Sequence, residues 1–207
     1  MNLFPQVHGE GGTGNYPPGA DEVFAGLCIG EDSGYLVFME LYLLRHGAAV
    51  EPGTKGYEVD ADRPLVAKGR KQTRYAVAAL KNLDISFDLI LTSPLVRARE
   101  TATLLSQSLK LSRCLELADE LKPGSPAEKL IQRLTGRKAT PKRVLCVGHE
   151  PDLGELASWL LTGTASERFP LKKGGLVRLD IPKLKAGQCA ELIWWLTPQQ
   201  IKLIAGK

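Results

Sequence analysis

From Met39 onward the chain repeats one pattern: a short apolar run that stops abruptly at polar or reactive residues, then a longer stretch with helical periodicity. Leu41-Tyr42-Leu43-Leu44 stops at Arg45-His46-Gly47, Leu89-Ile90-Leu91 at Thr92-Ser93-Pro94, and Val144-Leu145-Cys146-Val147 at Gly148-His149. Apolar runs this short, without polar alternation, fit strands covered on both faces. Between them, residues 68–81 set Val77, Leu80 and small Ala76, Ala78 and Ala79 among Lys and Arg, which predicts an amphipathic helix. A second helix is expected from Pro94 to about Leu109. A third spans 125–134, with Ser125 as N-cap, Pro126 at the first helical position and Glu128 in capping-box spacing. A fourth runs from about Pro151 to Leu161. Strands near 114–117, 175–181 and 189–196 and a short helix after Pro198 complete the order. The predicted fold class is α/β, a three-layer sandwich with a mostly parallel central sheet.

Composition supports a folded domain. Of 207 residues 43% are hydrophobic and 24% charged, which sets aside collagenous, coiled-coil and wholly disordered classes. No stretch approaches the roughly 18 uninterrupted apolar residues of a membrane span, so no membrane association is expected. Cys28, Cys114, Cys146 and Cys189 form no C-x-x-C pair. That spacing argues against a disulfide framework or a structural zinc site, and for reduced thiols in a cytoplasmic protein.

Charge is uneven. Residues 1–38 hold five of the 23 acids and none of the 27 Lys and Arg, a net charge of −5, which leaves +9 for residues 39–207. The leading segment is rich in Gly and contains Pro17-Pro18-Gly19. Such a composition buries too little apolar surface to offset its ordering entropy. It is therefore expected to be a disordered extension or a misassigned start, with the domain at 39–207 and His8 solvated.

Ligands of open α/β sheets bind beyond the carboxyl ends of the strands. Three strands here end in Arg45-His46-Gly47, in Thr92-Ser93-Pro94 followed by Arg97 and Arg99, and in Gly148-His149-Glu150-Pro151. Two imidazoles and at least two guanidiniums thus meet at one sheet edge, with no carboxylate pair or metal-ligand spacing beside them. Guanidinium forks match phosphate oxygens, and helix N-termini add their dipoles. Cations beside an imidazole lower its pKa and leave a ring nitrogen free to attack phosphorus. The second imidazole, if protonated, holds a phosphoryl oxygen.

These residues carry a resemblance. Arg45-His46-Gly47, Ser93-Pro94-Leu95 with Arg97-Ala98 and Thr101, and Gly148-His149 with Pro151 occur in the order seen in the histidine phosphatase superfamily. Arg63-Pro64-Leu65 with Gly69 and Glu120-Leu121 with Pro123 add to the likeness. The chain resembles that superfamily, with its phosphoglycerate-mutase-like fold, from about Met39 to Trp195. It is most like the small SixA-type phosphohistidine phosphatases.

The resemblance implies that His46 is the nucleophile and that Arg45, Arg97 and His149 complete the phosphate pocket. It implies no metal or other cofactor, because the arginines carry the neutralising charge. Arg97 follows His46 by 51 residues and precedes His149 by 52, an interval filled by a helix, a strand and a helix, which leaves little for a cap. An open, shallow pocket suits a phosphorylated side chain on a protein. The expected partner is therefore a phosphohistidine-bearing protein such as a phosphotransfer domain.

Glu120 is the one carboxylate whose place in the order fits the general acid of larger relatives, and it is otherwise structural. Arg99 lies on another helix face and reads as solvated or salt-bridged. Arg63 either fixes the loop bordering the site or is purely structural. Lys172-Lys173 is a solvated turn or a rim that meets an acidic partner. No aromatic-and-basic platform indicates nucleic acid, and Trp194-Trp195 reads as packing. A phosphatase for small phosphate esters and a non-catalytic phosphate-binding module stand as alternatives.

Overall fold

The computed structural model describes residues 39–207, so the expectations for 1–38, with His8 and Cys28, lie outside the described residues. The strands are β1 (Met39–Arg45), β2 (Leu89–Thr92), β3 (Leu115–Leu117), β4 (Arg143–Gly148), β5 (Leu176–Ile181) and β6 (Glu191–Leu196). The helices are α1 (Ala67–Asn82), α2 (Val96–Ser108), α3 (Ala127–Thr135), α4 (Asp152–Thr162) and α5 (Pro198–Ile204).

The sheet runs β3-β2-β4-β1-β5-β6. Its first four strands are parallel, whereas β5 pairs antiparallel with β1 and β6 antiparallel with β5. This is the expected mostly parallel α/β sandwich. Successive β1 side chains alternate between two cores. Leu41 and Leu43 face the layer of α3 and α4, against Leu130, Leu134, Leu156 and Leu160. Tyr42 and Leu44 face α1, α2 and α5, against Leu80, Leu105 and Ile201. Each such fully buried aliphatic side chain contributes about 1.5–3 kcal/mol relative to exposure, which pins the register that places the strand ends.

Two helix starts depart from expectation. Pro126 keeps an extended ψ and takes the N-cap position itself, so α3 begins at Ala127. Ser125 forms no capping box; its hydroxyl instead donates to the Asp119 carbonyl, 3.1 Å away, and stitches the preceding turn. Pro94 lies before the start of α2, whose N-cap is the extended Leu95. A capping box does occur at α5, between Thr197 and Gln200. At the other end of α4, Gly163 caps the helix with φ +80, the left-handed conformation that glycine adopts most readily.

The tryptophans pack as expected. Trp194 meets Tyr42 edge-on at 5.7 Å between ring centroids, and Trp195 lies 6.2 Å from Phe169. Cys146 is fully buried, and burial pushes its thiol up to about 12. Among the described residues no helix is long and apolar enough to cross a membrane.

Candidate active site

Strand order brings the motifs together. Because β4 lies between β1 and β2, His149 at its end falls between His46 and Ser93. The two imidazole centroids are 5.1 Å apart. Both rings are recessed, His46 at 5% exposure and His149 at 3%. The interval from Arg97 to His149 holds α2, β3 and α3, as expected, with no inserted cap.

Gly47 has a steric cause. A Cβ there would come within 2.6 Å of the Gly69 carbonyl oxygen, and a Cβ on Gly69 within 2.0 Å of the Ala48 oxygen. The loop after β1 can approach the start of α1 only because both positions are glycine. Gln72 ties the same loop down, accepting from Ala48 N–H and donating to the Lys173 carbonyl. Gly174 N–H then donates to the carbonyls of Arg45 and His46. The Lys172–Gly175 turn is thus a buttress of the site, with Lys173 Nζ 3.5 Å from Glu51.

The ring of His46 is oriented by its own loop. Nδ1 lies 2.7 Å from the Gly47 carbonyl oxygen, which can only accept, so Nδ1 carries the proton. Nε2 is left with its lone pair, and Arg97 Nε–H donates to it at 3.2 Å. Burial lowers the pKa of His46 to about 4, with Arg97, Arg45 and Lys173 adding to the shift and the Gly47 hydrogen bond opposing it. The expected depression is present, but desolvation exceeds the cations as its cause.

His149 is held from the opposite nitrogen. Its Nε2 lies 2.8 Å from Ser93 Oγ, which also accepts from Leu95 N–H; the hydroxyl proton has no other acceptor among the described residues, so it donates to Nε2. Nδ1 then carries the ring proton, is buried and has no partner among the described residues. Burial first, then His46 and Arg97, lower the pKa of His149 to about 3. The ring is therefore neutral near pH 7, so the condition attached to its role in the sequence reading, a protonated imidazole, is not met. It remains a hydrogen-bond donor through Nδ1.

Arg45 donates through Nη1 to the Leu171 carbonyl at 2.8 Å, and its Nε is buried without a partner among the described residues. Burial lowers its pKa, opposed by the charge of Glu150. Glu150 accepts from Leu171 N–H and Gly154 N–H, and burial raises its pKa against those bonds. Arg97 donates to the Asp60 carbonyl at 2.7 Å and to Asp60 Oδ2 at 2.9 Å, while Arg63 binds Asp60 Oδ1 and the Val50 carbonyl. Burial would raise the pKa of Asp60, but hydrogen bonds from Arg63 and Arg97 outweigh it and hold the carboxyl below its usual range. Of its two readings, Arg63 takes the loop-fixing one. Thr101 links helix to loop, accepting from Gly47 N–H and donating to the Arg97 carbonyl.

Glu120 lies 3.1 Å from Arg133 Nη1, paired with that guanidinium. Arg99 is exposed, as expected. Sequence reading missed Asp60, Ser93 as a partner of His149, and Glu150. The only prior signal for Asp60 was its place three residues before Arg63.

A buried pair of imidazoles flanked by two guanidiniums, at the carboxyl edge of an α/β sheet, is an arrangement able to bind a phosphoryl group. The family model of the histidine phosphatase superfamily (branch 1) matches residues 41–122. The chain is 33% identical over 130 residues to the phosphohistidine phosphatase SixA homolog of Haemophilus influenzae, covering 59% of this chain and 77% of that protein. It is 37% identical over 142 residues to an uncharacterized protein of a Picosynechococcus strain, covering 68% of this chain and 84% of the relative. The protein histidine phosphatase SixA, solved with tungstate, superposes with a TM-score of 0.64 at 24% identity, over 79% of this chain and all of that one. The protein belongs to the histidine phosphatase superfamily, in its first branch.

Proposed function

We propose that this protein removes phosphate from phosphohistidine in a partner protein, with His46 as nucleophile. The observation that carries the reading is the fixed tautomer of His46, whose Nε2 lone pair faces a guanidinium while Nδ1–H is held by Gly47. As substrate enters, Arg97 shifts its Nε–H from that nitrogen to a phosphoryl oxygen. Arg45 Nε and His149 Nδ1–H, both without partners among the described residues, hold the others. The Nε2 lone pair forms a new P–N bond while the P–N bond of the substrate breaks. The departing imidazole nitrogen takes a proton from solvent. Water then attacks phosphorus, the P–Nε2 bond breaks and inorganic phosphate leaves.

The leaving group favours phosphohistidine over an ester. Imidazole departs with little help, whereas an alkoxide needs a positioned acid, and the Glu120 carboxylate is occupied by Arg133. The two arginines supply the charge neutralisation, so EDTA leaves turnover unchanged. Loss on EDTA that a divalent ion restores would contradict this mechanism.

The direct test is label trapping. Wild type and His46→Ala are mixed with a radiolabelled phosphohistidine protein and quenched in alkali. The expected result is label on wild type alone, with phosphate released on longer incubation. Faster turnover of sugar or nucleotide phosphates than of the phosphoprotein would replace this reading with the small-ester one. Phosphate binding without any turnover would favour the binding module.

A further inference from the structure

A groove of about 300 Å³ opens beside His149, between the 119–127 turn and the first turns of α4. Its lining includes Leu130, Leu153, Leu156 and Trp159, so a hydrocarbon chain can lie against it. The polar lining is acidic. Glu128, Asp152 and Glu155 line it beside Glu120, and no Lys or Arg does, although residues 39–207 carry a net charge of +9. Glu120 is paired with Arg133, but neither Glu128 nor Glu155 has an ion-pair partner among the described residues. Asp152 receives Gly124 N–H on Oδ1, while its Oδ2 is buried with no donor. His149, 97% buried, lines the same groove with its Nδ1 unpartnered.

We infer that this groove seats an arginine side chain that neighbours the phosphohistidine on the partner protein. The inference rests on the phosphohistidine reading above. An apolar stem on the leucines and a planar fork against Asp152 Oδ2 and Glu155 would satisfy both kinds of lining. The phosphoryl dianion is repelled from these acids and held by Arg45 and Arg97 instead. The site therefore has a cationic end for phosphate and an anionic end for its basic neighbour, and the two together orient the partner surface.

The test uses three substrates: phosphoramidate and two synthetic phosphohistidine peptides, identical except for arginine or glutamate beside the phosphohistidine. The positive domain as a whole favours the glutamate peptide, so the sign of the preference is informative. Wild type is expected to turn over the arginine peptide with kcat/KM about tenfold higher, carried in KM and shrinking with added salt. In the double variant Glu128→Lys/Glu155→Lys the ratio between peptides is expected to reverse. A ratio is unaffected by a general loss of activity, and a melting curve confirms folding. Equal turnover of both peptides by wild type, or a preference that survives the reversal, would overturn the groove assignment while leaving the phosphohistidine reading intact. Failure of wild type on all three substrates would overturn that reading and this one with it.

Discussion

His46 and His149 are the same residue type, one strand apart, both buried and both neutral near pH 7, yet they are held in opposite senses. Each has its proton on Nδ1, but the loop carbonyl of Gly47 occupies that proton on His46, whereas Ser93 occupies the other nitrogen of His149. One ring is left with a lone pair and the other with an N–H. A nucleophile and a donor are thus made from identical side chains by the partner each ring receives.

Substitution at His46 breaks this comparison most severely. His46→Ala is expected to abolish covalent labelling and lower kcat by about 10⁴-fold or more, since no other lone pair replaces Nε2. Rapid-quench kinetics would measure it. His149→Ala removes a donor and not the nucleophile, so the protein should still take label while kcat falls about 10²–10³-fold. Equal losses in both variants would contradict the division of roles.

Ser93→Ala sharpens the comparison further. Without its hydroxyl, His149 is free to carry its proton on Nε2, and kcat should fall about tenfold with KM for phosphoramidate little changed. An equal loss in Ser93→Thr, which keeps the hydroxyl, would indicate packing rather than tautomer control.

The remaining effect is on stability. Both imidazoles have folded-state pKa values below the ordinary 6.5, about 4 for His46 and about 3 for His149. Below 6.5 the unfolded chain therefore binds protons that the folded chain refuses. Their stabilisation is complete above pH 6.5 and is lost as pH falls toward 4 and then 3. For His46 alone the loss is on the order of 3 kcal/mol. Thermal melts of His46→Asn should show a shallower decline of Tm between pH 6.5 and 4 than wild type. Parallel curves would mean that His46 is not buried as described.

Sequence and structure agree where local pattern and global position coincide. The apolar runs of β1, β2 and β4 were legible because strands covered on both faces have no polar alternation. His46, Arg97 and His149 followed because each motif stands at a strand end. The antiparallel course of β5 and β6 was not legible, since periodicity carries no direction. Ser125 fits a capping box by spacing alone, but the extended ψ of Pro126 starts the helix one residue later. Asp60 opens a single 3-10 turn, Asp60–Asp62, and meets Arg97 across 37 positions of sequence. Ser93 meets His149 across 56, through a strand order that local pattern does not specify.

The tautomer of His46 predicts which nitrogen takes phosphate. Protein labelled with ¹⁵N-histidine would be phosphorylated by phosphoramidate, quenched in alkali and studied by ¹⁵N and ³¹P NMR. The account predicts one phosphohistidine, on Nε2 of His46. Phosphate on Nδ1, or on His149, would contradict it.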